Sequence, residues 1–188
     1  MKKILAIASL ATLAACNSPE PAKTDAMKTS ADSTMPAQVQ VPDITSPYKI
    51  GYSSKFAMDD PKNAESLLTL WKDWDNGNLG AHKEIFADSV EMHFADGSMM
   101  HSTRDSIIAA AQSYRNMFAN AVSSVDAVMA VKSTDKDENW ALIWGKEIDT
   151  DKKGKIDSFY LQETWRFNKD GKADLMFQFK QAGAPPKK

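Results

Sequence analysis

The sequence lacks features on which several classes of protein depend. It contains one cysteine, Cys16, in 188 residues, so it cannot form an intramolecular disulfide. Its formal charge is close to zero, at −2, and it has no basic block beyond the terminal Lys187-Lys188. A nucleic-acid partner is therefore not expected, because such partners are bound through clustered lysine and arginine.

Motifs for cofactors and metals are also missing. There is no glycine-rich phosphate loop and no Gly-x-Ser-x-Gly elbow. The histidines have neither helical i, i+4 spacing nor cysteine partners, which argues against a zinc site. Residues 149–154 begin like a calcium loop, but Lys153 occupies a ligand position and Tyr160 stands where the bidentate glutamate belongs. We expect no metal, no cofactor and a hairpin turn at 149–154.

Long apolar runs are scarce as well, and the most uniform one, residues 4–15, follows Lys2 and Lys3. It is too short for a transmembrane helix, which needs about 20 apolar residues, and its pattern is typical of a secretory signal. Residues 13–16, Leu-Ala-Ala-Cys, resemble the lipobox of bacterial lipoproteins. That resemblance implies cleavage before Cys16 and acylation there, and two or more acyl chains give stable membrane anchoring.

The lipobox reading places the protein in the bacterial cell envelope as a lipid-anchored lipoprotein. Asn17 follows Cys16 where some bacteria use an aspartate for inner-membrane retention, which favours the outer membrane over the inner. An ordinary signal peptide with a chance cysteine is the alternative.

Composition divides the remainder of the chain. The stretch after Cys16 is rich in Pro, Ala, Ser, Thr, Asp and Lys and has almost no large apolar residues, so it cannot bury enough surface to fold. We predict five segments: a signal peptide, a lipidated cysteine with a flexible linker, an N-terminal arm, a folded domain and a disordered tail, at 1–15, 16–46, 47–59, 60–182 and 183–188.

Periodicity predicts helices followed by strands in the folded domain. Apolar residues at helical spacing predict one helix beginning near Asp60-Pro61, a short helix at about 79–86 and a long helix from about 103 to 120. Alternation predicts a strand at about 90–95 and four more at about 123–134, 138–149, 156–168 and 172–181. Short turns separate the last four, which indicates an antiparallel meander and an α+β fold.

The order of these elements, with the turn at 95–97 (Ala-Asp-Gly), resembles the nuclear transport factor 2-like superfamily and its SnoaL-like branch. The strongest local likeness is residues 162–172, Gln-Glu-Thr-Trp-Arg-Phe-Asn-Lys-Asp-Gly-Lys. The resemblance implies a cone-shaped fold with three N-terminal helices packed on a curved, mainly antiparallel sheet, a pocket between them, and in many cases a homodimer. It fixes no function, because one fold supports many.

Glu163 is the leading candidate for chemistry. It alternates with large apolar residues along its predicted strand, so it shares a face with the core or the pocket. Burial would suit the carboxyl group to general acid–base work. A structural glutamate, hydrogen-bonded to nearby side chains, is the alternative.

Other candidates are weaker. His93, near the end of the first long strand, could move a proton, although its neighbours Met92 and Phe94 have the more core-like character. Aromatic and amide side chains could line the pocket, since binding pockets are mostly apolar with few polar groups: Tyr114, Trp140, Trp144, Trp165 and Gln178.

Three functions remain open at this point. The leading one is a lipoprotein that binds a small apolar ligand without catalysis. The second is a SnoaL-like isomerase or cyclase that uses Glu163 as general acid or base. The third is a dimeric scaffold that uses the outer face of the sheet, at Tyr160, Gln162, Thr164 and Arg166.

Overall fold

The computed structural model describes residues 43–183. The signal peptide, Cys16 and most of the predicted linker lie outside the described residues, as does the tail after 183. Two α-helices and seven β-strands follow in chain order, with one turn of 3₁₀ helix at Lys83–Ile85. Their bounds are β1 Phe56–Met58, α1 Lys62–Asn76, β2 Phe86–His93, β3 Met99–Thr103, α2 Arg104–Arg115, β4 Phe118–Ser133, β5 Glu138–Asp151, β6 Ile156–Phe167 and β7 Ala173–Ala182.

All seven strands form one sheet in the order β1-β4-β5-β6-β7-β2-β3. The predicted meander β4 to β7 pairs antiparallel throughout, and β2 joins its far edge parallel to β7. The turns after β5 and β6 use Gly154 and Gly171 at positive φ, a conformation that glycine adopts without steric cost. The predicted α+β fold with a curved, mainly antiparallel sheet is confirmed.

Helix α1 lies across β4 and β5 and supplies part of the core. Asp60 accepts a hydrogen bond from the backbone N–H of Lys62 at 3.1 Å, as expected of a residue that begins a helix. Gly77, at φ +69°, ends it in the left-handed conformation. Leu67 and Trp71 face the sheet, where burial of a large apolar side chain contributes about 1.5–3 kcal/mol.

The prediction of a third helix is wrong. Of the segment predicted as helix at 79–86, only Lys83–Ile85 forms a single 3₁₀ turn, and Phe86 already begins β2. The side chain of Gln112, on α2, accepts a hydrogen bond from the Leu79 backbone N–H and donates one to the Gly77 carbonyl oxygen. These two bonds hold the backbone at the start of this segment in a non-helical conformation. Strand β3, absent from the prediction, pairs with β2 and leads into α2.

The curvature of the sheet makes room between it and the helices. The register of β4 against β5 shifts between Val125 and Ala127, which is the signature of a bulge that bends the strand. Gly145 of β5 faces this bulge, and a Cβ there would lie 2.1 Å from the Ser124 carbonyl oxygen. In residues 43–183 no helix is long and apolar enough to cross a membrane.

Candidate functional site

A cavity of about 510 Å³ lies between the concave face of the sheet and the two helices. Most of its wall is apolar, with Trp71 of α1, Ile107 of α2 and Phe86 of β2 among the lining residues. Polar groups interrupt this wall mainly on strands β5, β6 and β7, and Asp73 of α1 and Tyr114 of α2 add to them. An apolar cavity with few convergent polar groups is typical of a small-molecule site.

Glu163 of β6 is buried in this wall and bound by three N–H donors. Its Oε2 accepts from Trp71 Nε1 at 2.9 Å and Trp165 Nε1 at 3.0 Å, and its Oε1 accepts from Gln178 Nε2 at 3.0 Å. The donors come from α1, β6 and β7, so one carboxyl group connects the helix to two strands. An indole N–H can only donate, so Glu163 satisfies two tryptophans that would otherwise be unpaired in the core.

Glu147 and Asp149 of β5 form a pair of buried carboxyl groups at the same cavity. They are 6% and 3% exposed, and a hydrogen bond joins their side chains. Glu147 Oε1 also accepts from Trp74 Nε1 at 2.7 Å. Asp149 Oδ1 is buried and has no hydrogen-bond partner among the described residues.

The environment of this pair favours the protonated form of Glu147. Burial first, and then the neighbouring Asp149 carboxylate, raise the pKa of Glu147 to about 9. Burial also raises the pKa of Asp149, although the hydrogen bond with Glu147 and the charges of Lys180 and Arg115 oppose that shift. At neutral pH the pair therefore retains a shared proton, as closely spaced carboxyl groups do.

A fourth buried carboxyl group at the cavity, Asp73 of α1, has its own partner. His82 Nδ1 lies 2.9 Å from Asp73 Oδ2, and this contact raises the pKa of His82. The pair connects the end of α1 to the segment that follows it. No three His, Cys, Asp or Glu side chains within residues 43–183 converge in a way that could hold a metal ion.

Sequence comparison finds no family model and no curated protein that matches this chain. Solved structures do match. An NTF2-like protein of unknown function from Burkholderia pseudomallei is 17% identical with a TM-score of 0.51, over 63% of this chain and 90% of that one. The nuclear transport factor 2-like fold prediction is confirmed: the described residues have this fold.

Two further neighbours of this nuclear transport factor 2-like domain carry functional names. IdmH from Streptomyces antibioticus, described as a candidate polyketide cyclase, is 12% identical with a TM-score of 0.51, over 64% of this chain and 92% of that one. An epoxide hydrolase of M. tuberculosis, described as LEH-like, is 8% identical with a TM-score of 0.53, over 64% and 83%. At these identities the likeness concerns the fold alone.

Four of the residues selected from the sequence line the cavity of this domain. Glu163, Trp165 and Gln178 meet in the hydrogen-bond network described above, and Tyr114 lies on α2. The side-chain hydrogen bonds of Glu163 come from Trp71, Trp165 and Gln178, and Tyr114 is not among these partners.

His93 is not among the residues that line the cavity. Val90, Met92 and Phe94 face inward, and alternation therefore turns His93 to the other face of β2. On that face its Nε2 lies 2.5 Å from Glu91 Oε1, and its ring stacks on Phe177 with centroids 4.7 Å apart.

Trp140 and Trp144 are also not among the residues that line this cavity. They share a face of β5, as alternation requires, but it is the outer face. Trp140 donates through Nε1 to Tyr52 Oη at 3.0 Å, so residues before β1 cover it. Trp144 borders a separate hollow of about 470 Å³ on the outer face, together with Tyr160 and Phe179.

The sequence reasoning missed Glu147 and Asp149. The sequence pattern predicts Trp140 and Trp144 as pocket lining and places Asp149 in a hairpin turn. The available signal was parity: Glu147 and Asp149 alternate in phase with Ala141 and Ile143, which are fully buried.

Proposed function

We propose that this protein is a lipid-anchored envelope protein whose nuclear transport factor 2-like domain binds a small, largely apolar molecule. The observation that carries this proposal is the cavity of about 510 Å³, which is of the size that small-molecule sites have. Its wall joins apolar side chains from both helices and the sheet. Its buried carboxyl groups lie on strands β5 and β6 and on helix α1, where they are rigidly positioned.

Glu163 serves this function as a positioning residue. Its carboxyl group accepts from two indoles and one amide, and these bonds fix Trp71, Trp165 and Gln178 in the cavity wall. A preorganised wall reduces the entropy that is lost when a ligand binds. The same three bonds leave Glu163 poorly suited to abstract or deliver a proton.

The binding proposal is tested by identifying what the protein carries. The full chain would be purified from its native membrane and the released small molecules identified by mass spectrometry. We expect an apolar compound in wild type and less of it in Ile107→Trp, which fills the cavity. Recovery of the same compounds in equal amount from both proteins, or of none from either, would overturn the proposal.

Anchoring through Cys16 is tested separately. Metabolic labelling with a radioactive fatty acid is expected to mark wild type and to leave Cys16→Ser unlabelled. Fractionation of the labelled protein then distinguishes the outer membrane, which we propose, from the inner. Equal labelling of the two proteins would refute the anchor.

A second function, proton transfer on the bound molecule, is favoured by one observation. The Glu147–Asp149 pair retains a proton near neutral pH and faces the cavity, so Glu147 could give its proton to a ligand carbonyl oxygen while the Asp149 carboxylate takes a proton from the adjacent carbon, which forms the enol. Its test uses the identified ligand in D₂O. Deuterium incorporation that persists in Glu163→Gln and is lost in Glu147→Gln supports catalysis at this pair.

The outer sheet face supports the proposed homodimer. Trp144, Tyr160 and Phe179 expose apolar surface there around the second hollow, and Phe179 is 60% exposed. Exposed apolar patches of this kind mark contact sites between proteins.

A further inference from the structure

An aromatic cluster stands at the end of the cavity nearest to β5. Trp74 of α1, Tyr114 of α2 and Phe118 at the start of β4 lie with ring centroids 5.3–6.5 Å apart. Trp74 and Tyr114 both line the cavity, and Tyr114 is half-exposed. The faces of such rings carry negative electrostatic potential and attract cations.

The Glu147–Asp149 pair adjoins this cluster. Trp74 Nε1 donates to Glu147, so the indole and the carboxyl group are in direct contact. Asp149 is 3% exposed and lines the cavity, and its Oδ1 has no partner among residues 43–183. A buried carboxylate oxygen without a donor is costly unless something else pairs with it.

Negative charge predominates around this end of the cavity. Burial, followed by the charges of Asp149, Glu147, Asp157 and Asp96, raises the pKa of Tyr114. The charged groups that face the pair are Glu163 and Asp157 on β6, Lys180 on β7 and Arg115 on α2. Arg115 is held by hydrogen bonds to the carbonyls of Trp74, Asp75 and Phe118, keeps its charge, and lies with Cζ 5.9 Å from the centroid of the Trp74 ring.

We propose that the molecule bound in this cavity is an apolar amine or quaternary ammonium compound whose cationic head lies between the Trp74–Tyr114–Phe118 cluster and the Glu147–Asp149 pair. This inference rests on the proposed binding function and specifies its ligand class. The cluster supplies ring faces, the pair supplies the counter-charge, and the apolar wall receives the remainder of the ligand.

A lysine of the chain itself makes a cation–π contact and an electrostatic interaction of the kind proposed for the ligand. Lys180 Nζ lies 3.4 Å from the centroid of the Phe159 ring, which lines the cavity, and its charge favours the ionised form of Asp149. Lys180 therefore partly neutralises the site. A cationic ligand competes with it, whereas an anionic ligand would gain from it.

The test uses three probes with one body and different heads: 4-phenylbutyltrimethylammonium, its neutral tert-butyl analogue and 4-phenylbutanesulfonate. Binding to the full chain with Cys16→Ser as background is measured by tryptophan fluorescence. At pH 8 we expect the cation to bind at least tenfold more tightly than the neutral analogue, which corresponds to about 1.4 kcal/mol, and the sulfonate to bind most weakly.

The variants separate charge recognition from folding. Glu147→Gln combined with Asp149→Asn is expected to abolish the preference for the cation while the neutral probe still binds, which shows an intact cavity. Lys180→Gln is expected to strengthen cation binding severalfold. Glu65→Gln, which removes an exposed carboxylate from α1, is the matched control and is expected to retain the wild-type preference.

The outcomes distinguish this inference from the function on which it rests. Equal affinity for the cation and the neutral analogue in wild type, with both bound, overturns the cationic ligand and leaves the binding function standing. A preference for the cation that survives the double substitution also overturns it. Failure of all three probes to bind counts against the cavity as a binding site altogether.

Discussion

Glu147 and Asp149 are two residues apart on β5, and their carboxyl groups are joined by a hydrogen bond inside the cavity. Alternation places both side chains on the concave face of the sheet. Trp74 of α1 donates to Glu147 from above, so the helix is fixed over the pair. Two buried acids in this position lower the free energy of unfolding at neutral pH.

Glu147→Gln is expected to stabilise the protein above neutral pH. Since the pKa of Glu147 is about 9 in the folded protein and near 4.5 when the chain is unfolded, the folded state binds the extra proton between these values. The free energy of unfolding therefore falls as pH rises through that window and levels off above it. A glutamine at position 147 can make the same hydrogen bonds without having to bind a proton. We therefore expect the free energy of unfolding to increase by about 1–3 kcal/mol at pH 8.

Urea denaturation at pH 5.5, 7 and 8.5 measures this effect. Glu147→Gln is expected to flatten the decline of stability with pH, whereas Glu65→Gln, at an exposed position of α1, is expected to follow wild type. A wild-type slope in Glu147→Gln would show that Glu147 is ionised at neutral pH in the folded protein.

Glu163 is expected to respond to substitution in the opposite sense. Glutamine can still accept from Trp71 and Trp165 through its oxygen and can donate to a reoriented Gln178, so Glu163→Gln is expected to cost less than about 1 kcal/mol. Leucine leaves two buried indole N–H groups unpaired, and Glu163→Leu is expected to cost about 2–5 kcal/mol.

Thermal unfolding of the two Glu163 variants, followed by tryptophan fluorescence, distinguishes these cases. A loss in Glu163→Gln as large as that in Glu163→Leu would mean that the charge of Glu163, rather than its acceptor geometry, stabilises the wall. Ligand binding retained in Glu163→Gln would further support a positioning role.

The sequence predicted the meander well because its signals are local. Each strand from β4 to β7 is ten or more residues long, and the turns between them are rich in Asp, Lys, Asn and Gly. The short segment at 79–86 carries too few residues for a period to emerge, and its conformation depends on Gln112, which is distant in sequence. Hydrogen bonds between residues so far apart in sequence cannot be predicted from the local pattern of apolar residues.

The site was predicted in part for a related reason. Glu163 stood out because its strand neighbours on the same face are large and apolar. On β5 the larger side chains, Trp140 and Trp144, lie on the outer face, where Tyr52 covers one of them. Each face of β5 is bound by residues distant in sequence, Trp74 contacting Glu147 on one face and Tyr52 contacting Trp140 on the other.

His93→Gln is expected to leave ligand binding unchanged. Its side chain lies on the outer face with Glu91 and Phe177, so it does not contact the cavity. We expect a stability change within about 1 kcal/mol, as for other partly exposed ion pairs. Titration of the neutral phenylbutyl probe into wild type and His93→Gln measures this. A weaker affinity in the variant would show that His93 contributes to ligand binding.

Phe179→Glu is expected to convert a dimer into a monomer, since it places a charge at the centre of the exposed patch around Trp144 and Tyr160. Sedimentation velocity of the Cys16→Ser chain measures the assembly state. Met117→Glu, at a comparably exposed position after α2, is the control and is expected to remain dimeric. A wild-type protein that sediments as a monomer at high micromolar concentration would rule out this interface.

Gly145→Ala is expected to destabilise the protein and to weaken ligand binding together. The added Cβ would meet the Ser124 carbonyl oxygen at 2.1 Å, and that oxygen belongs to backbone that cannot move without altering the β4 bulge. Ser123, beside this contact, lines the cavity, so a displaced bulge changes its shape. We expect the free energy of unfolding to fall by about 1–3 kcal/mol, as for other overpacked positions.

The control is Gly51→Ala. An added Cβ there would meet nothing within 4 Å, so this substitution is expected to be neutral or slightly stabilising. Urea denaturation and probe titration of both variants measure the two effects, and equal stability of Gly145→Ala and wild type would show that the close approach of β4 to β5 is not needed to shape the cavity.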